Sequence, residues 1–175
     1  MRKITFILLL FASLAASGCI EKSNISPIRA VDELDINKLM GTWYELANTR
    51  SDSKPPQAGF TVDFSMNENG LITVLIKYHE LTLYGPYKEA KGKAKWLGPK
   101  YPGIVKISFF LSSYGDYYIL DIDKDYTRAL VYKQNSRNFR IISREPALPV
   151  EDIKYLKDKI RSIGYDPDDL VWIEH

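Results

Sequence analysis

The sequence predicts an all-β domain of eight short strands followed by one C-terminal helix. Runs rich in Tyr, Phe and aliphatic residues extend from Gly41 to Ser143, and turn signals separate them. Residues 149–164 carry apolar residues at helical spacing instead. The alternation of strands and helices that marks a parallel sheet is missing. The short, even strand spacing is typical of a β-sandwich or an up-and-down barrel.

The strands are predicted from alternation and from the turns between them. Strict alternation places Phe60, Val62 and Phe64 on one face of the second strand. The run Asn67-Glu-Asn-Gly70 supplies residues that tolerate positive φ, so it predicts a hairpin turn. The eight predicted strands cover residues 41–47, 60–64, 71–78, 87–96, 105–111, 117–121, 128–133 and 138–143.

A single helix is predicted over residues 149–164. Acidic residues in its first turn favour the helix dipole, and Gly164 suits the position just after its last turn. A final apolar run over residues 170–173 returns to extended chain. The apolar stripe of the helix consists of Ile153, Leu156, Ile160 and Ile163.

The first 18 residues predict an export signal. Arg2 and Lys3 precede a short apolar run that ends in small residues. That run is shorter than the roughly 20 apolar residues that span a bilayer. Cys19 is the only cysteine, so an exported chain cannot form an internal disulfide. Residues 19–30 then predict a polar tether, and residues 31–175 the folded domain.

The segment from Leu14 to Cys19, LAASGC, resembles a bacterial lipobox. This resemblance implies cleavage before Cys19 and acylation of that residue, which would anchor the mature chain to a membrane. Ile20 after the cysteine favours the outer membrane, on its periplasmic side, by resemblance to other lipoproteins. A plain signal peptide followed by a free thiol is the alternative.

Charge and motif content exclude some classes of protein. The chain has 24 basic and 22 acidic residues, and cleavage would remove Arg2, Lys3 and no acid. The mature chain is then formally neutral, whereas a nucleic-acid-binding protein normally shows a basic excess. The two histidines, His79 and His175, and the single cysteine predict no metal site. No G-x-S-x-G motif supports a lipid esterase, and no cofactor is expected.

Three segments resemble the motifs of the lipocalin family, in order and at the family's spacing. They are Gly41-Thr-Trp-Tyr-Glu45, then residues 123–131, which begin Asp-Lys-Asp-Tyr, and then Ile141-Ile-Ser-Arg-Glu-Pro146. The resemblance extends over residues 31–174 and is strongest to bacterial outer-membrane lipoprotein lipocalins, which are related to apolipoprotein D. It implies an eight-stranded antiparallel up-and-down barrel with the C-terminal helix packed outside.

The resemblance assigns structural roles to a few motif residues. Trp43 would close the barrel floor, and Arg144 would stack on its indole in a cation–π contact of roughly 0.5–2 kcal/mol. Gly41 would leave room where the chain enters below the floor. The structural set is Gly41, Trp43, Asp125, Tyr126 and Arg144.

Alternation and the family register together predict the inner face of the barrel. Buried apolar residues are mostly packed core, so only part of this face is expected to touch a ligand. The inward residues are Ala47, Phe60, Val62, Phe64, Ile72, Val74, Ile76, Ala90, Gly92, Val105, Ile107, Phe109, Tyr117, Ile119, Ala129 and Val131.

Two polar residues are predicted near the same face. Glu45 would lie near the floor and must be paired or protonated, with a tyrosine or Arg144 as the favoured partner. Arg140 has the parity of Ile142. It is expected either to pair with a phosphate or carboxylate headgroup or to stay solvated at the rim.

The predicted function is the binding of a lipid in the barrel. The ligand would be apolar or amphipathic, such as a fatty acid or lysophospholipid, and the role would be storage, transport or envelope maintenance under stress. The alternatives are sequestration of another hydrophobic compound such as an antibiotic, and a structural lipoprotein with a filled barrel. Whether the chain forms a homodimer is left open, because the family includes dimers.

Trp172 is predicted to hold the C-terminus by packing, since no disulfide can do so.

Overall fold

The computed structural model describes residues 27–49, 55–111 and 113–175. Cys19, the export signal and most of the tether lie outside these residues. Eight antiparallel strands in sequential order close into a barrel, with the C-terminal helix outside it and a short ninth strand at one edge. The predicted fold class is confirmed. Within the described ranges, no helix is long and apolar enough to cross a membrane.

Three predicted strands are met to the residue, the first, second and sixth extend further, and the third and fifth are displaced by one or two residues along the chain. The fourth, seventh and eighth strands begin and end as predicted. The elements are α1 (Ile36–Leu39), β1 (Gly41–Thr49), β2 (Gln57–Met66), β3 (Ile72–Glu80), β4 (Tyr87–Trp96), β5 (Ile104–Phe110), β6 (Ser113–Ile122), β7 (Arg128–Lys133), β8 (Asn138–Ser143), α2 (Val150–Ser162) and β9 (Leu170–Trp172).

Strand β1 closes the barrel because it pairs with β2 along Gly41–Tyr44 and with β8 further along. The β1–β8 register shifts between Glu45 and Ala47, so Leu46 is an extra residue in β1. Such a β-bulge reverses the inward and outward alternation beyond it. Ala47 therefore faces the outer core and not the interior, and the prediction that it lines the cavity is wrong.

Trp43 fills the floor of the barrel and is completely buried. Its indole nitrogen donates to the Leu39 carbonyl at 2.9 Å, which fixes α1 below the first strand. The Arg144 guanidinium lies 3.9 Å from the centroid of the indole. Gly41 has φ +93°, and a Cβ there would approach the Arg144 Nη1 to 3.2 Å. Trp43, Arg144 and Gly41 therefore pack together at the floor.

Arg144 also ties the incoming chain to the floor through main-chain oxygens. Its Nη1 donates to the Thr42 carbonyl at 2.7 Å, and its Nη2 donates to those of Met40 and Lys38 at 2.7 and 2.8 Å. Burial lowers the pKa of Arg144 from its ordinary value, yet a guanidinium stays charged at neutral pH. One side chain thus satisfies two carbonyls of the segment that precedes β1 and one carbonyl at the start of β1.

The loop between β6 and β7 depends on Asp123 and not on the predicted Asp125. The carboxylate of Asp123 accepts from the Thr127 and Arg128 amides at 2.7 and 2.8 Å and from the Thr127 hydroxyl at 2.8 Å. Asp125 is exposed, and its carboxylate lies 4.0 Å from Lys124. Sequence matching selected the wrong aspartate because both belong to the same motif.

Tyr126 contacts the segment that enters the floor. It adopts φ +57°, and its hydroxyl accepts from the Asp35 amide at 2.7 Å. The Lys38 ammonium lies 5.4 Å from the centroid of its ring. Tyr126 therefore links the β6–β7 loop to the segment that enters the floor.

Helix α2 packs on the outside of the barrel through Leu156 and Ile160, both completely buried. The outer core that they share with the strands includes Leu130, Phe139 and Ile141. Acidic residues begin the helix, and its last turn carries basic residues, as the helix dipole favours. The outward faces of β7 and β8 are therefore apolar where the helix covers them.

The C-terminal tail is held mainly by main-chain pairing. Strand β9 pairs antiparallel with the end of β1, and Leu170 is buried in the outer core. The Gly59 amide donates to the Glu174 carbonyl at 2.7 Å, which links the tail to β2. Trp172 remains half exposed, so the prediction that its packing holds the tail is wrong.

Replacement of Arg144 by Ala is expected to lower the free energy of unfolding by about 3 kcal/mol. It removes charged hydrogen bonds to three carbonyls and the indole contact. Arg144→Lys keeps the charge but loses the planar guanidinium, so its free energy of unfolding should lie between those of wild type and Arg144→Ala. Urea unfolding followed by tryptophan fluorescence measures both variants. Ordinary surface substitutions change the free energy of unfolding by up to about 0.5 kcal/mol, so a smaller loss for Arg144→Ala would contradict this role.

Replacement of Asp123 by Ala is expected to lower the free energy of unfolding by about 1–2 kcal/mol at pH 7, and replacement of Asp125 by Ala should lower it by less than about 0.5 kcal/mol. Burial works against the charged Asp123, but bonds from Arg128 and Thr127 outweigh it and hold the pKa of the carboxyl below its ordinary value. Its contribution is therefore present above the unfolded-state pKa and is lost as the pH falls. Urea unfolding from pH 7 to pH 3 should show the difference between wild type and Asp123→Ala shrinking. A constant difference would contradict the assignment.

Candidate ligand cavity

The interior of the barrel contains a small apolar cavity of about 60 Å³. Apolar and aromatic side chains from every strand of the barrel except β4, and from α1, form its wall, together with one glutamate and one arginine. The lining residues are Leu39, Glu45, Phe60, Val62, Phe64, Val74, Ile76, Val105, Ile107, Phe109, Tyr117, Ile119, Val131, Arg140 and Ile142.

Most of the predicted inward residues lie on this wall. Their contact with a ligand stays a prediction. Val105, predicted inward from the family register, and Glu45 lie there too. The predicted site residues that the structure places on the wall are Phe60, Val62, Phe64, Val74, Ile76, Ile107, Phe109, Tyr117, Ile119, Val131 and Arg140.

Three predicted site residues do not line the cavity. Ala47 faces outward because of the bulge in β1. Ala129 faces inward but is buried in the packed core that also contains Trp43. Ala90 lies opposite Ile76 on β4, and its short side chain forms no part of the wall. Alternation gives the direction of a side chain but not how far it reaches.

Sequence reasoning missed two lining residues and the importance of one polar residue. Leu39 reaches the cavity from α1, and Ile36 and Leu39 at helical spacing could have indicated a buried turn there. Ile142 was used only to set the parity of Arg140. Asn48 was not considered, because without the bulge its side chain would point outward.

The polar residues of the cavity are paired with each other. The Arg140 Nη1 donates to the Glu45 Oε2 at 2.6 Å, across the β1–β8 pair. The Glu45 side chain is only 2% exposed. A tyrosine or Arg144 was the predicted partner, so the identity of the partner was wrong, although the prediction that Glu45 is paired is met. Arg140 is neither a free rim cation nor an unpaired headgroup ligand.

Burial disfavours the charged form of Arg140, but the attraction of the Glu45 carboxylate outweighs it, so the pKa of Arg140 stands above its ordinary value. Tyr117 adds to this effect, and the guanidinium carbon lies 6.0 Å from the centroid of its ring. The pair therefore places a positive and a negative charge side by side in an otherwise apolar interior. Its net charge is zero.

Asn48 completes the polar cluster. Its Nδ2 donates to the Glu45 Oε1 at 2.5 Å. Its Oδ1 is buried and accepts no hydrogen bond from any described residue. Buried polar atoms are nearly always partnered, so this oxygen is an exception that needs a physical reason.

The ring of Phe109 covers one side of the mouth. A Cβ on Gly92 would lie 2.7 Å from the Phe109 Cδ1, so the ring rests against bare main chain of β4. Phe109 is 38% exposed and also lines the cavity. Its neighbour Phe110 is 75% exposed and does not line it. Phe109 is thus the lining residue that can leave the cavity with least loss of packing.

The two histidines have structural surroundings. The His79 Nδ1 lies 2.9 Å from the Gly85 carbonyl oxygen, and the His175 Nε2 lies 3.0 Å from the Glu45 carbonyl oxygen. Neither histidine lines the cavity. Within residues 27–49, 55–111 and 113–175, no cluster of three or more His, Cys, Asp or Glu side chains is placed to hold a metal ion.

A closed barrel of eight antiparallel strands, with an apolar interior, a tryptophan–arginine floor and a helix outside, defines a class of small-ligand-binding barrels. Residues 34–175 match the profile of the lipocalin-like domain, and the chain belongs to the lipocalin family. The resemblance found in the sequence motifs is confirmed.

Individual relatives agree with this assignment. The chain is 26% identical over 170 residues to the outer membrane lipoprotein Blc of Vibrio cholerae, with 96% of this chain and 97% of that protein covered. It is 33% identical over 143 residues to mouse apolipoprotein D, with 77% and 74% covered. Insecticyanin from the tobacco hornworm Manduca sexta has the same fold, with a TM-score of 0.69 at 13% identity over 86% of this chain and 85% of that one.

Replacement of Arg140 by Leu is expected to lower the free energy of unfolding by about 3 kcal/mol, because it leaves the buried Glu45 charge without its cationic partner. The double variant Glu45→Leu/Arg140→Leu removes both charges and should lie within about 1 kcal/mol of wild type or be more stable. Urea unfolding measures both. Equal losses in the single and double variants would contradict a coupled pair.

Proposed function

We propose that this protein binds one apolar or amphipathic lipid, such as a fatty acid or lysophospholipid, inside its barrel. The observation that carries the proposal is the inner wall, which is apolar and aromatic except for one neutral ion pair. Ligand sites of this kind are mostly apolar with a few placed polar groups. The proposal involves binding without chemistry, since the cavity glutamate is paired and both histidines lie elsewhere.

We also propose that the protein acts at the outer membrane, on its periplasmic side, through acylation of Cys19. The lipobox-like segment before Cys19 and the relatives named outer membrane lipoprotein Blc support this location. A lipid-anchored carrier beside a bilayer would have its ligand at hand. Storage, transport or envelope maintenance under stress is the corresponding role.

The interior must adjust to hold a lipid, because about 60 Å³ lies well below the 300–1,000 Å³ usual for ligand pockets. Burial of an alkyl chain contributes about 0.8 kcal/mol per CH₂, or about 8 kcal/mol for ten of them. Moving an aromatic side chain off its preferred rotamer costs about 0.5–1.5 kcal/mol. Ligand burial can therefore drive the rearrangement, and Phe109 at the mouth is best placed to move.

The small cavity specifically favours a second candidate function, that of a structural lipoprotein whose barrel is filled by its own side chains. In that role the protein would act through its anchor and outer surface and would take up no apolar molecule. Sequestration of another hydrophobic compound, such as an antibiotic, uses the same wall as lipid binding. Ligand titration separates these functions.

Replacement of Phe109 by Ala is expected to raise the affinity for a C16 fatty acid and a C16 lysophospholipid about tenfold, because the variant no longer has to displace the ring. Phe110→Ala is the matched control and should leave the affinity within about twofold. The neutral fluorescent probe N-phenyl-1-naphthylamine, displaced by each lipid from the soluble mature chain with Cys19→Ser, gives the dissociation constants.

Saturable binding by wild type, strengthened in Phe109→Ala alone, would support the lipid carrier. If neither wild type nor Phe109→Ala binds probe or lipid while both remain folded, the barrel is filled and the structural function is favoured. Binding of the probe without displacement by either lipid would point to a different hydrophobic compound.

A further inference from the structure

Glu45 and Arg140 line the cavity, and Asn48, which is not a lining residue, donates to Glu45; these three residues form the polar cluster of the site. We propose that it selects lipids whose polar end is uncharged and carries a hydroxyl group, and that it rejects an anionic group at that depth. This inference rests on the proposed lipid-binding function and narrows it. A fatty acid or a lysophospholipid would bind with its charged end kept at the mouth, away from the cluster, whereas an uncharged end that carries a hydroxyl group would reach the cluster.

The first step is that the positive charge of Arg140 is already matched. The Glu45 Oε2 lies 2.6 Å from the Arg140 Nη1, and both side chains line the cavity. An anion that approached Arg140 would also approach Glu45, so attraction and repulsion would largely cancel. The loss of the anion's hydration would then stay uncompensated. Arg140, which the sequence suggests as a partner for a phosphate group, therefore disfavours a phosphate group in the structure.

The second step is that the cluster lacks a hydrogen-bond donor at one defined place. The Asn48 side-chain oxygen is buried, in a residue only 6% exposed, and no described residue donates to it. The orientation of the amide is fixed, because its Nδ2 donates to the Glu45 Oε1 and the flipped amide would face oxygen with oxygen. A ligand that supplies a donor here would satisfy an otherwise orphaned acceptor.

The third step is that a donor and an acceptor are needed close together. Asn48 and Arg140 are direct cross-strand partners, and neighbours of that kind lie about 5 Å apart. The Arg140 Nη2 makes no hydrogen bond to the described residues and can still donate. A hydroxyl both donates and accepts, so one such group can bond to the Asn48 Oδ1 and to the Arg140 Nη2.

The test compares three lipids with the same C16 acyl chain. Monopalmitoylglycerol is neutral and carries hydroxyls, methyl palmitate is neutral without a donor, and palmitoyl lysophosphatidic acid adds a phosphate to the first. Displacement of N-phenyl-1-naphthylamine from the mature chain, residues 19–175 with Cys19→Ser, gives each dissociation constant. We expect wild type to bind monopalmitoylglycerol at least tenfold more tightly than either of the other two.

Variants then assign the selectivity to the cluster. Glu45→Gln unmasks Arg140 and should strengthen binding of the lysophosphatidic acid, measured relative to monopalmitoylglycerol in the same variant, at least tenfold. Asn48→Leu should weaken monopalmitoylglycerol to the level of the methyl ester. Glu89→Gln, which removes an exposed carboxylate on β4, is the matched control and should change nothing. Circular dichroism and thermal melting establish that each variant is folded.

If Glu45→Gln fails to fold, the Glu45→Leu/Arg140→Leu double variant replaces it, and loss of the preference for monopalmitoylglycerol over methyl palmitate is expected. Equal or tighter binding of the lysophosphatidic acid by wild type, with the probe bound normally, would overturn this inference and leave lipid binding intact. An unchanged affinity of Glu45→Gln for the lysophosphatidic acid would also overturn this inference. If wild type binds neither probe nor lipid, the proposed function itself fails.

Discussion

The site depends on one extra residue in β1. This strand pairs with β2 along Gly41–Tyr44 and with β8 from Tyr44 onward, and the bulge at Leu46 shifts the register of the β1–β8 pair. It also turns Ala47 toward the outer core and Asn48 toward Glu45. The apolar contact of Ala47 with the outer core and the polar cluster around Glu45 therefore both follow from the same local irregularity.

The two ends of the barrel differ in how firmly they are held. At the floor, Arg144 joins Trp43 to three main-chain carbonyls, and Asp123 orders the adjacent loop. At the mouth, Phe109 rests on the main chain at Gly92, and Phe110 and Leu111 are largely exposed. Rearrangement is therefore far less costly at the mouth, which is also the end through which a ligand would have to pass.

The interior combines a small volume with a neutral charge balance. Aromatic rings such as Phe60 and Phe64 occupy much of the space, and Glu45 with Arg140 leaves no net charge. Such an interior stabilises the empty barrel, because few apolar atoms lack contacts. The same features make binding a competition between ligand and side chains, which an acyl chain can win through the apolar surface that it buries.

Alternation and helical spacing are local properties of the chain, and they predicted the strands and the helix. The resemblance to the lipocalin motifs predicted the floor and, together with alternation, most of the inner face. The directions of Ala47 and Asn48 depend on the tertiary structure, since a bulge is set by the register against β8. The tertiary structure alone decided the partner of Glu45, which lies 95 residues away along the chain. The volume of the cavity likewise depends on how side chains from different strands pack together, and no local sequence pattern encodes that packing.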